Sequence, residues 1–158
     1  MKKIAIVYSK YSPVIDALKY TLTDCTVDCL TSADKTEKYD LIICLNNTKS
    51  EGNAISCHHS LLPAFNCDEP EKEAVLSGVK VTGITVYYQN TGKIIAQYPV
   101  FIKNDTHYDN LKQELTYLEQ TLLPIVAEKI IKNEPFELSK IINKNCNRAC
   151  GGCSSCSR

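Results

Sequence analysis

The stretch "ISCHHSLLPAF", Ile55–Phe65, decides how the rest of the chain is read. A short apolar run ends in two histidines, His58 and His59, and Ser-Leu-Leu-Pro follows at once. A histidine at the mouth of a strand is placed for proton chemistry, metal binding or anion stabilisation. A loop histidine that bonds only to its neighbours is the plain alternative. The surrounding sequence has to choose between them.

Upstream, "KIAIVYS" (Lys3–Ser9) has the compact apolar pattern of a buried strand. Ser12 followed by Pro13 is a cap and a first-turn proline, so a helix is expected to about Leu22. "TVDCL" and "LIICL" read as further strands, and "AISC" is the fourth, leading into the histidines. Downstream, Asp68 with Pro70 opens a short helix that Gly78 closes. "VKVTGITVYY" and "KIIAQYPVFI" flank Asn90-Thr91-Gly92, which predicts a hairpin. A long helix is expected from Thr106, with Leu111, Leu115, Leu118, Leu122 and Ile125 forming one apolar core stripe. Pro124 is expected to kink or restart it before an end near Ile131.

This order predicts an α/β fold: a mostly parallel sheet with an antiparallel hairpin at one edge and flanking helices. One connection strains the picture. Residues Asn46 to Asn53 are all that separate the third and fourth strands, whereas a parallel crossover usually takes about a dozen residues or more. Either this is an unusual loop or one strand is misassigned.

At 158 residues the chain suits one α/β domain, residues 1–143, with a short tail, residues 144–158. Lysine plus arginine equals aspartate plus glutamate, 18 each, which argues against a nucleic-acid polymer or an anionic membrane as partner. Arginine occurs only at Arg148 and Arg158, a poor supply of bidentate phosphate forks. "MKKIAIVYSK" is too short an apolar run for a signal peptide or a membrane span, so a cytoplasmic protein is expected.

From the fourth strand onward, the chain resembles the folate-dependent formyltransferases, most closely the branch that formylates glycinamide ribonucleotide. The family's Asn-x-His-x-Ser-Leu-Leu-Pro is matched by "SCHHSLLP", its Gly-Val-x-x-Thr-Gly-x-Thr-Val by "SGVKVTGITV", and its Asp-Thr-Gly-x-Ile-Ile-x-Gln by "NTGKIIAQ". Asp105-Thr106 matches a further Asp-Thr before the last helix, and the resemblance runs from about Ala54 to Ile131. Several spaced motifs in the right order are far more specific than any one of them.

The resemblance implies a Rossmann-like formyltransferase fold and transfer of a formyl group from 10-formyltetrahydrofolate to an amine. It puts His58 at the catalytic histidine, Ser56 at the asparagine that helps hold the oxyanion, and Asn90 at the aspartate that assists proton transfer. His59 stands where the family often has proline or glycine and is expected to have no chemical role. Ser56 retains one donor, but Asn90 cannot take a proton or carry charge. Losing an oxyanion donor costs about 10²–10³ in rate, so weak or altered transfer is expected. The family's glycine-bearing phosphate loop is replaced by "SKYSP", with no glycine between Tyr8 and Tyr20. A formyltransferase-fold binding module without catalysis is the alternative.

The tail carries a second constellation, Cys146-x3-Cys150-x2-Cys153-x2-Cys156. Four thiolates suit one [4Fe–4S] cluster or one tetrahedral Zn²⁺, and the unbroken spacing favours the cluster. Unligated thiols are the plain alternative. A cluster there would imply a redox partner beside a small-molecule substrate. The other cysteines, Cys25, Cys29, Cys44, Cys57 and Cys67, are expected in the core, where free cysteine packs as a small hydrophobe.

Overall fold

Alternation along the strands sorts their side chains onto two faces. In β1 (Lys3–Val7), Ile4 and Ile6 join one buried cluster while Ala5 and Val7 join another. In β3 (Leu41–Cys44), Leu41 and Ile43 take the first face and Ile42 and Cys44 the second. The computed structural model describes residues 1–34 and 36–137. The four tail cysteines and the expected boundary at residue 143 lie outside the described residues.

The remaining elements are α1 (Pro13–Thr21), β2 (Thr26–Leu30), β4 (Ala54–His58), α2 (Pro70–Leu76), β5 (Val81–Tyr88), β6 (Ile94–Phe101) and α3 (Tyr108–Ile131). They form a six-stranded sheet in the order β2-β1-β3-β4-β5-β6. The first four strands are parallel, and the β5–β6 hairpin adds antiparallel to β4. The expected architecture is thus present, with one refinement. α1, α2 and α3 all contribute to the cluster on the first face, and none contributes to the second. Tyr39, Leu30 and Ala33 pack on that second face instead.

The strained connection resolves as an unusual loop, since β3 and β4 pair directly in parallel. Residues 45–53 carry the chain back without a helix. Asn46 and Asn47 take left-handed backbone (φ 54° and 59°), which asparagine tolerates better than most residues. Thr48 Oγ1 lies 2.8 Å from the Leu45 carbonyl and 3.0 Å from that of Val7. Gln89 completes the tie: its Nε2 donates to the Thr48 carbonyl (2.8 Å) and its Oε1 accepts from Ser50 N (3.1 Å).

Helix ends differ slightly from expectation. The N-cap of α3 is His107, not Thr106, because Thr106 Oγ1 accepts from Lys103 N in the preceding turn. Glu69, not Asp68, precedes α2. Pro124 neither breaks nor restarts α3, which is one element to Ile131. Leu122, Leu123, Val126 and Ala127 are all buried around it, and this packing outweighs the lost backbone hydrogen bond. The core stripe holds at Leu111, Leu115 and Leu122, while Leu118 and Ile125 are half-buried.

Gly83 in β5 connects the sheet to the Ser-Leu-Leu-Pro loop. A Cβ there would collide with the Tyr98 carbonyl and stand 2.8 Å from Leu61 Cδ2. Neither backbone nor loop has room to yield. Gly83→Ala is therefore expected to destabilise the chain by about 2 kcal/mol or more, read as a lowered midpoint in guanidinium chloride. An unchanged midpoint would contradict this packing.

Candidate functional site

Because β1, β3 and β4 are parallel, their C-terminal ends lie along one edge of the sheet. The chain leaves β1 toward β2 on one side, while β3 and β4 continue on the other. In open α/β sheets a crevice forms at such a switch point. A cavity of about 280 Å³ opens there, and its walls include Ser12, Asn47, His58, His59, Glu71 and Glu119.

His58 is the last residue of β4 and stands opposite Thr85 in β5. Its Nε2 lies 2.9 Å from the carbonyl oxygen of Phe65. A carbonyl only accepts, so Nε2 carries the hydrogen and Nδ1 is the ring nitrogen this bond leaves unengaged. Phe65 has left-handed backbone (φ 51°), and its carbonyl also accepts from Cys67 N at 2.9 Å. The loop between them hangs on one buried hydroxyl. Thr85 Oγ1 donates to the Ser60 carbonyl (2.7 Å) and accepts from Leu62 N (3.0 Å) and from Gln97 Nε2 (3.1 Å).

The other two residues that the resemblance assigns lie elsewhere. Ser56 is 4 % exposed, and its hydroxyl donates to the Cys44 carbonyl at 2.7 Å while accepting from Gln89 Nε2 at 3.0 Å. The one hydrogen that hydroxyl can donate is therefore already engaged. Asn90 is exposed in the turn after β5. Neither is among the residues that line the cavity.

His59, expected to be idle, is a strongly perturbed group in the cavity wall. Its Nδ1 lies 2.6 Å from Glu71 Oε1, and its Nε2 lies 3.0 Å from Glu119 Oε2. Burial by itself would lower the pKa of the ring. The hydrogen bonds and charges of Glu119 and Glu71 overcome that and raise it to about 9. Burial would likewise raise Glu71, but its bond to His59 holds the carboxyl below its ordinary value. At neutral pH His59 is an imidazolium between two carboxylates.

The cysteines divide. Burial pushes the Cys44 thiol up to about 11, and burial with the Glu119 charge pushes Cys57 well above the ordinary range. Cys25, Cys29 and Cys57 are half-buried. Cys67 corrects the expectation, being exposed and part of the cavity wall. Among the described residues no group of three or more His, Cys, Asp or Glu is arranged to hold a metal ion. Nor is any described helix long and apolar enough to cross a membrane.

Comparison with known proteins bears on the family and the fold. Residues 36–127 match the family model described as formyl transferase. Phosphoribosylglycinamide formyltransferase of Bacillus subtilis (strain 168) is 37 % identical over 84 residues, covering 51 % of this chain and 43 % of that protein. Methionyl-tRNA formyltransferase of Halalkalibacterium halodurans is 34 % identical over 84 residues, 51 % of this chain and 26 % of that one. The matched stretch thus spans less than half of either relative. Among solved structures, phosphoribosylglycinamide formyltransferase from Bacillus halodurans superposes with a TM-score of 0.67 at 21 % identity, covering 86 % of this chain and all of that one. A formyltetrahydrofolate deformylase from Pseudomonas syringae pv. tomato gives 0.71 at 18 % identity, covering 84 % and 62 %. At such identities the structures establish the fold alone, while the family model spans more than half of the chain. The chain belongs to the formyl transferase family.

Proposed function

We propose that the chain takes a formylated folate at the cavity beside β4 and passes its formyl group slowly to an amine through His58. The observation that carries this reading is the placement of His58 at the end of a parallel strand, in a cavity wall, beside a loop held by Thr85. When an amine attacks a formyl carbon, the carbonyl oxygen gains negative charge and the amine must lose a proton. An imidazole with one nitrogen anchored on the Phe65 carbonyl serves either need through the other: Nδ1 accepts the proton or, once protonated, donates to the oxyanion.

The same geometry argues for a low rate. The Ser56 hydroxyl is held by the Cys44 carbonyl and Gln89, and Asn90 offers no carboxylate. Each absent group of this kind costs about 10²–10³ in turnover, although members of one catalytic set do not act additively. The cavity of about 280 Å³ falls just under the usual ligand-site range of roughly 300–1,000 Å³, which suits the reacting end of a folate. Without the family's glycine-bearing loop, glycinamide ribonucleotide is not expected to be an efficient acceptor. The partners of this reading are small molecules in a cytoplasmic setting.

Titration with 10-formyltetrahydrofolate, followed by measurement of tetrahydrofolate release with an added amine as formyl acceptor, tests the proposal. Saturable binding with slow turnover is expected. His58→Ala should abolish release and leave binding within about threefold, as for a residue acting in the transition state. Asn90→Asp should leave release unchanged, because that turn adjoins the start of β4, away from His58. Binding with no release would make the chain a binding module. No binding at all would overturn the reading.

A second reading concerns Cys146, Cys150, Cys153 and Cys156, and their spacing is what favours it. We propose that they hold one [4Fe–4S] cluster, which four closely spaced thiolates suit. Protein purified without oxygen should then be brown and contain iron, and deleting everything after Lys144 should remove that iron. Zinc in its place would make the tail a structural knot. Iron unchanged by the deletion would move the ligands elsewhere.

A further inference from the structure

One cluster in the cavity wall has no part in the proposed chemistry: His59 with a carboxylate on each ring nitrogen. The three residues come from three elements. His59 directly follows β4, Glu71 lies in the first turn of α2, and Glu119 lies in α3. Glu71 is only 6 % exposed. A charged ring attracts both side chains, and a neutral ring leaves them facing each other with no cation between.

Besides the core contacts of Ala74 and Val75, α2 has few other ties. It is seven residues long, its N-cap residue Glu69 makes no side-chain cap bond, and Leu76 is 71 % exposed. Pro70, Glu71 and Ala74 are its buried residues. The loop that joins β4 to α2 forms the near wall of the cavity and supplies the Phe65 carbonyl that orients His58.

We infer that His59 is a positioning residue: its imidazolium is a latch that closes α2 and the preceding loop against α3, and the cavity beside His58 keeps its shape only while that latch is charged. The charged and titratable groups around it are Glu71 on α2, Glu119 and Lys112 on α3, Asp68 and Cys67 on the loop, and Cys57 and His58 on β4. With His59 charged, the wall carries three carboxylates, Asp68, Glu71 and Glu119, against two cations, His59 and Lys112. Removing the His59 proton leaves the three carboxylates facing one cation, and repulsion then drives α2 outward.

The sign of the pH effect follows from two groups. The ring value of about 9 in the fold lies above its ordinary 6.5. The latch is therefore complete below about pH 6.5 and is lost as pH rises through about 9. Glu71 is held below its ordinary 4.5, so its contribution is present above that pH and is lost as pH falls further.

The inference extends the proposed function to the shape of the same cavity, and its test needs no folate. Amide hydrogen exchange of the peptide spanning residues 59–76 is measured by mass spectrometry on the full chain, with β1 and β3 as internal controls. At neutral pH His59→Gln should exchange at least about tenfold faster in this peptide than the natural chain, with the controls unchanged. The double variant His59→Gln/Glu119→Gln, which removes the excess charge, should return to within about threefold. The difference between the natural chain and His59→Gln should be full near about pH 6 and vanish near about pH 10. Unchanged exchange in His59→Gln, or equal exchange in the single and double variants, would make His59 a packing residue and overturn the inference. If exchange behaves as expected but folate does not bind, the proposed function falls and the latch stands.

Discussion

Nine residues, 45–53, must carry the chain from the end of β3 back to the start of β4, and much of the site follows from that constraint. A four-residue strand is about 13 Å long. Nine residues coiled as a helix would rise about 13 Å and leave nothing for the two turns, whereas extended they span about 30 Å. The return has to be a loop, and a loop leaves backbone groups that need partners. Thr48 and Gln89 supply them. The Gln89 amide that anchors Thr48 also reaches Ser56, whose hydroxyl is bonded to Cys44, its neighbour across the strand pair. The Ser56 hydroxyl and the short crossover therefore share one hydrogen-bonded network.

The second sheet face shows the same economy. No α-helix among the described residues covers it: β1, β3 and β4 bring Ala5, Val7, Ile42, Cys44 and Ala54 to that side, and Tyr39 packs over them. Tyr39 is tied down through its hydroxyl to Asp28 at 2.8 Å. Small strand residues let a loop approach closely where a helix would need larger side chains to fill the gap.

The sequence made the elements legible because period-two and period-3.6 patterns reflect burial directly, as in "KIAIVYS" and the Leu111–Leu115–Leu122 stripe. Ser12-Pro13 and Gly78 marked helix ends because their backbone chemistry allows few alternatives. Pro124 was misleading for a tertiary reason: its helix is buried on both sides of it. His58 was legible through the motif around it, but its neighbours were not. Thr85 and Gln97 hold the site across strands, and such partners leave only a faint mark, a polar residue inside an apolar strand. His59 was opaque because Glu71 and Glu119 are 12 and 60 residues away. The one local hint was a glutamate in the first turn of a helix that packs on the core.

The ties that shape the cavity are thus polar: the Thr85 hydroxyl, the Gln89 amide and the His59 imidazolium. Apolar packing on the first face fixes where α1 and α3 lie, but it is non-directional and tolerates small displacements. Hydrogen bonds fix distance and angle, which a site built on one histidine requires. They differ in what they depend on. Thr85 and Gln89 are neutral and hold at any pH the fold survives. The His59 contacts gain strength from charge in a partly buried setting, and lose it when that charge is lost. The cavity is therefore held firmly along β4 and β5 and conditionally where α2 meets α3, so any movement that admits a ligand belongs on the α2 side.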